Sequence, residues 1–172
     1  GVSFTSGKNL SVEQQALVLS LLAKENRSDV FDAISETASN DLVLIEIQSG
    51  KIIEEAISIE IENALNDSMS APYVFIVSKE NSIAKVTIDF KGKTERSFHL
   101  VQLHAHVEQS ARLEIHQLQN TSKNECVLLR ESISQADKSV FKITTVTASG
   151  TWVRNELNIR IEGQHCETFL SG

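Results

Sequence analysis

Three places in this 172-residue sequence hold side chains whose types and spacing could do chemistry. In "LVQLHAHVE", strand alternation puts Val101, Leu103, Ala105 and Val107 on one face, and so His104 and His106 on the other with Gln102 and Glu108. Two imidazoles two residues apart on a strand can reach one ion. His116, beside Glu114 in the following segment, is a third donor that could join them. A zinc or iron site needs three or four convergent ligands and local geometry supplies only the pair, so a solvated polar sheet face is the competing reading.

The second place is Cys166, which follows His165. A thiolate–imidazole pair is one reading, but adjacent strand residues point to opposite faces. The other is a small apolar residue at a corner, since a buried cysteine behaves as a small hydrophobe. Cys126 in "ECVLLRE" reads as packing in the same way. The third place is Arg154–Asn155, which follows Gly150; neither residue has an apolar role, and both are candidates for binding a ligand. Asn155 can instead close a corner or a ladder through its own backbone. Glu60 and Glu62 alternate with Ile59 and Ile61, as on a solvated sheet face. Paired carboxylates serve glycoside hydrolysis only across a cleft, and no cleft is legible here.

The elements that must carry these residues change character near residue 40. The first ten residues, "GVSFTSGKNL", are polar and uncommitted. A capping box of Ser11 and Gln14 then opens a helix to about Lys24, with Val12, Ala16, Leu19 and Ala23 as its apolar face, expected to lie hidden against the rest of the molecule. A second short helix is predicted over about 29–35, with Ser28 as N-cap and Val30, Phe31 and Ile34 turned inward. From Asp41 on, short alternating runs follow: "LVLIEI", "AISIEIE", "YVFIV", "AKVTIDF", "LVQLHAHVE", "RLEIHQL", "CVLLRE", "SVFKITTV" and "LNIRIE". The Asn-Gly turns that announce antiparallel hairpins are missing from this stretch.

A repeat emerges when the polar corners are aligned. "VSKENSIAKVTI", "VEQSARLEI", "ISQADKSVFKI" and "IEGQHCETFL" each bring an aliphatic residue into a polar corner, place a small residue at the turn and send out a new strand. The small residues are Ser82, Ala111, Ser139 and Cys166, at intervals of 29, 28 and 27 residues. That period indicates stacked coils. The predicted fold is therefore mainly β, a right-handed parallel β-helix over 41–172 with a helical lead-in over 1–40. Each coil cannot bury its inward side chains alone, and stacking at about 4.8 Å gives a continuous interior.

Composition narrows the function classes. A net charge of −7 with scattered lysines argues against a nucleic-acid footprint, which needs clustered Lys and Arg. No apolar run approaches a membrane span, and two distant cysteines in a chain of this size suit free thiols in a reducing cytoplasm. Aromatics are 5% of residues, few for a sugar-binding β-helix enzyme.

The stretch "GTWVRNELNIRIEGQHCETFLSG" resembles the core of the SufB/SufD family, with Gly150, Arg154, Asn155, Leu157, Ile161, Gly163, Leu170 and Gly172 in the family's places and Cys166 where an alanine is usual. "HAHVEQSARLEIHQLQ" is similar to another rung of that core, and "DVFDAISETASNDLVLIEIQSGKIIEEAISI" to the segment entering it. SufD fits better than SufB, because "APYVFIVSKENSIAKVTI" is like the SufD rung and the SufB-type cysteine segments are missing. The resemblance implies a non-enzymatic scaffold subunit that works with a SufB-like partner and SufC-like ATPases in iron–sulfur cluster assembly. It implies no resident cofactor, the cluster being handled transiently by the whole complex. It also implies longer sequence at both ends, so the chain is expected to be cut between rungs and, alone, to pair two copies through the open C-terminal end. The alternatives are a carbohydrate-active β-helix and a structural or adhesive β-solenoid.

Overall fold

The computed structural model describes residues 1–24, 29–39, 41–63 and 65–172. Strand β1 (Val2–Ser6) and a single 3-10 turn precede helices α1 (Val12–Ala23) and α2 (Val30–Ala38). The strands β2 (Leu42–Ile47), β3 (Ile57–Glu62), β4 (Ser68–Ser70), β5 (Tyr73–Ser78), β6 (Ile83–Lys91) and β7 (Ser97–Val107) follow. The last five are β8 (Arg112–Asn120), β9 (Glu125–Gln135), β10 (Val140–Ser149), β11 (Trp152–Ile161) and β12 (Glu167–Ser171).

They form two facing sheets of a parallel β-solenoid with about five turns. One sheet runs β1-β2-β5-β7-β9-β11, with β4 beside β7; the other runs β3-β6-β8-β10-β12. Every pairing is parallel except β1 with β2. Successive coils are β2–β3, β5–β6, β7–β8, β9–β10 and β11–β12. All nine alternating runs lie in strands, whereas β1 comes from the stretch read as uncommitted. With five residues and only Val2 and Phe4 as apolar alternation, β1 gains its strand form from pairing with β2, whose N-terminal-side edge it covers.

The four small residues occupy one corner. Ile83, Arg112, Val140 and Glu167 are in register, so the residues before them stack. The residue before each small one has a left-handed backbone: Asn81, Ser110, Lys138 and His165, with Gly50 one coil earlier, all at φ of 57–68°. In that conformation each N–H points along the stack. Gly50 donates to the Glu80 carbonyl, Asn81 to Gln109, Ser110 to Asp137 and Lys138 to Gln164, at 2.8–3.1 Å. The next residue then turns inward under the following coil, where Ser82, Ala111 and Ser139 are fully enclosed and Cys166, at the last corner, is half-buried.

Inward rows show how the core is built. Val43, Val74, Leu103, Glu131 and Leu157 form one row; Ile59, Ile88, Gln117 and Thr145 form another across from it. Between their corners coils one and two are filled mainly with aliphatic side chains and Phe90, with Asn63, Ser78 and Ser82 buried at the ends of their strands, whereas from coil three polar groups such as Gln117 and Glu131 enter the middle of the core.

The helices lie on the outer face of the first sheet. Gln14, in the first turn of α1, donates to Glu46 on β2 (2.7 Å), while at the other end Arg160 on β11 donates to the Lys24 carbonyl (3.1 Å) and Lys24 pairs with Glu162 (2.9 Å). Twelve residues at ~1.5 Å each give ~18 Å, close to the ~19 Å of four rung spacings at ~4.8 Å. Helix α1 is thus a strut from coil one to coil five. Helix α2 returns: Asp29 and Asp32 contact Arg130 on β9, Ser35 accepts from Gln102 on β7, and Phe31, Ile34 and Ala38 pack on Ala71, Leu100 and Leu128.

Two helix expectations are corrected. Helix α1 has its capping box, but it buries Val18 and Leu21 against Leu44, Phe75 and Val77, leaving Val12 (82% exposed), Ala16, Leu19 (64%) and Ala23 outside. Its sequence is apolar on both faces, so spacing alone did not choose between them. In α2 the N-cap is Asp29, whose carboxylate accepts from Phe31 and Asp32 N–H; Ser28 lies outside the described residues, and Val30 faces out.

Candidate functional site

The structure separates the residues singled out from the sequence. His104 is on the outer face of the first sheet, but that face is covered by the helices: it is 3% exposed and its ring stacks on Phe75 at 4.7 Å and Tyr73 at 5.8 Å. The expected solvated face is therefore a buried layer at His104. His106, on the same face, is half-buried and its Nδ1 is 2.7 Å from Ser134 Oγ on the adjacent rung. Burial holds its imidazole below the usual pKa, partly opposed by Glu108. His116 projects from the outer face of the opposite sheet, where it contacts Glu114 (2.9 Å) between Lys85 and Lys142. The three histidines do not converge. Among the described residues no group of three His, Cys, Asp or Glu side chains is placed to hold an ion.

Cys166 donates its thiol to the Ala136 carbonyl (3.1 Å) within the corner stack. Cys126 faces outward in the row of Phe98 and Trp152. Arg154 and Asn155 part company. Arg154 points outward to Glu156 (2.5 Å), which also takes Arg130. Asn155 points inward and exchanges both amide contacts with Gln119, at 2.7 and 3.2 Å.

Asn155, exposed at the last coil, ends a polar seam that runs through coils three to five, with Gln117, Gln119 and Glu131 buried and Thr147 exposed. Thr147 donates to Gln119 (2.6 Å), Thr145 to Gln117 (2.9 Å), and Gln117 to Glu131 (2.5 Å). Glu131 is 3% exposed, flanked along its row by Leu103 and Leu157. Burial lifts its carboxyl to about 7, against the opposing hydrogen bond from Gln117, so it exchanges a proton near neutrality inside a closed core. Sequence reasoning missed Glu131 although the signal was present: in "CVLLRESIS" the alternation sets it on the face of Val127, Leu129 and Ile133.

A second buried carboxylate works as a structural joint. Glu125, fully enclosed at the other corner, accepts from Thr94 N–H and Oγ1, Ser97 Oγ (3.0 Å) and Ser122 N–H (2.8 Å). Burial opposes its charge, but these donors outweigh it and hold the pKa below the usual range. Glycines meet the same close packing: a Cβ on Gly163 would collide with the backbone of Asp137 and Ala136, and one on Gly92 with that of Ser122 and Thr121.

The close backbone packing at Gly163 and the contact of Asn155 with Gln119 give a physical reason for two of the positions that carried the resemblance. Comparison with family models decides the matter: residues 60–172 match the SufBD core domain of the SUF system for iron–sulfur cluster assembly. The chain belongs to the SufBD core family. Comparison with curated proteins returns no relative. The SufBD match starts within β3 and extends through β12, and the protein has a role in iron–sulfur cluster assembly. Helices α1 and α2, outside the matched residues, pack on the outer face of this SufBD core. No described helix is long and apolar enough to cross a membrane.

Proposed function

We propose that this chain is a SufD-type subunit, a scaffold without catalytic turnover that works with a SufB-like subunit and SufC-like ATPases in a Suf assembly complex. The observation that carries this reading is the SufBD core match over residues 60–172. The preference for SufD over SufB rests on the rung "APYVFIVSKENSIAKVTI" and on the placement of the two cysteines, one in the outer row of the first sheet and one hydrogen-bonded in a corner. The nascent cluster is cargo of the complex rather than a cofactor of this chain.

The contact we assign to partners is the pair of strands β11 and β12, each of which has a hydrogen-bonded neighbour on one side in the described chain. Parallel edges of this kind accept a further strand, from another coil, a SufB-like subunit or a second copy.

Co-expression with SufB-like and SufC-like subunits tests the reading. Recovery of all three in one complex, with ATPase activity tracking the SufC-like subunit, is the expected result. A chain that stays apart while a known SufD is recovered would overturn it. Anaerobic incubation of the isolated chain with iron and sulfide should leave little protein-bound visible absorption; a stoichiometric cluster lost in His104→Ala would show that the histidine pair ligates metal and that this chain itself holds the cluster.

A further inference from the structure

A cavity of about 470 Å³ opens at the first coil, between the start of β2, the end of β3, Ser70 and the start of β5. Its volume falls within the ~300–1,000 Å³ of small-molecule sites. The cavity is remote in the stack from the polar seam of coils three to five. Its apolar walls include Val43 and Val74 from one sheet and Ile59 and Ile61 from the other, the inward rows of coils one and two.

Two features of the lining point to an absent partner. Asn63 is only 6% exposed, yet its Nδ2 finds no acceptor among the described residues. Buried amide donors are nearly always satisfied, so an orphan on a cavity wall marks a place where a ligand or ordered solvent accepts. Ser70 is oriented from behind by His99, whose Nδ1 is 3.2 Å from Ser70 Oγ. His99 is fully enclosed against Phe90, which fixes the hydroxyl and leaves its remaining capacity for the cavity.

The rim sets the charge. Glu60 and Glu62 are offset by Lys91 and Lys93, but Asp41 makes no ion pair with a described residue. An anion is repelled there and a cation drawn in.

We propose that this cavity binds a small organic cation with a branched aliphatic body and a carbonyl acceptor, such as an amino-acid amide, with the body between Ile59, Ile61, Val43 and Val74, the carbonyl on Asn63 and the ammonium toward Asp41. The proposal does not rest on the Suf reading.

L-leucinamide is the probe, with neutral N-acetyl-L-leucinamide and anionic N-acetyl-L-leucine as comparisons, each titrated into the labelled chain and followed by backbone amide shifts. Leucinamide should give saturable shifts at Val43, Asn63 and Ser70, with affinity at least tenfold above that of acetylleucine. Asn63→Ala should weaken it at least tenfold. Asp41→Asn, an exposed change that leaves the fold alone, should bring leucinamide and acetylleucinamide within twofold of each other. Absence of saturable shifts with leucinamide, equal binding by acetylleucine, or an unchanged preference in Asp41→Asn would each overturn the proposal. The last holds even if Asn63→Ala fails to fold. Affinity untouched in a folded Asn63→Ala variant would mean that solvent alone satisfies that amide, and would equally end it.

Discussion

Arg130 on β9 grips Asp32 at the start of α2, Nη1 to Oδ1 at 2.5 Å, and so ties the returning helix to the fourth coil of the solenoid. The same guanidinium reaches Asp29 (2.9 Å) and Glu156 on β11 (2.8 Å), with its side chain 15% exposed. One planar fork therefore joins a helix N-terminus to two adjacent rungs. Arg130→Ala leaves three carboxylates together, and we expect a loss of about 2–3 kcal/mol in urea unfolding, below the full cost for a wholly buried charge because Asp29 is half-exposed. Arg130→Lys should recover part of it, since a point charge cannot serve three acceptors.

Glu131 predicts an unusual pH dependence. Its folded pKa, about 7, stands above its ordinary value of 4.5, so the folded state holds the proton that the unfolded chain releases. Stability from this group is complete below pH 4.5 and is lost as pH rises to about 7, by roughly 3 kcal/mol at ~1.4 kcal/mol per pH unit. His99 and His106, lowered by burial, act oppositely and cost stability as pH falls through 6.5. The difference between Glu131→Gln and the parent isolates the acid. We expect the variant to be more stable by about 2–3 kcal/mol at pH 8 and equal at pH 4.5, measured by denaturant melts across pH.

The corner stack makes opposite demands at neighbouring positions. Gly163→Ala drives a Cβ into the Asp137 backbone and should cost about 2 kcal/mol or more. Lys138→Gly relieves a left-handed non-glycine residue and should gain about 0.5 kcal/mol, net of chain entropy. Thermal melts of the two variants check both signs.

The two faces of α1 can be told apart by alanine. Leu21→Ala should cost about 2–4 kcal/mol as a core truncation, whereas Leu19→Ala, on the exposed stripe, should stay within about 0.5 kcal/mol. The reverse order in chemical denaturation would return the helix to the orientation suggested by its spacing.

How much of this was legible beforehand follows from the range of the interactions involved. The solenoid itself was readable from Ser82, Ala111, Ser139 and Cys166, because a repeat imposes the same steric demand at each corner and writes it into the sequence at a fixed interval. Alternation likewise separated His104 and His106 from Val101 and Leu103, since strand pleat is local. The site was less legible. That Asn155 meets Gln119, 36 residues away, and that Glu131 meets Gln117 across the core, depends on two sheets facing each other at one height in the stack.

By itself, then, the sequence determined the coil, its period, its corners and the face on which each strand residue lies, all consequences of backbone geometry within one repeat. Only the tertiary structure decided what covers those faces. Whether Val12–Leu19 or Val18–Leu21 would be buried on α1 turned on the strut between Glu46 and Glu162. Whether His104 would meet water or aromatic rings turned on where that strut and α2 come to rest. Such choices are set by charge pairs and packing between segments far apart in the chain, 98 residues for Arg130 and Asp32 and 138 for Lys24 and Glu162, and no local spacing encodes them.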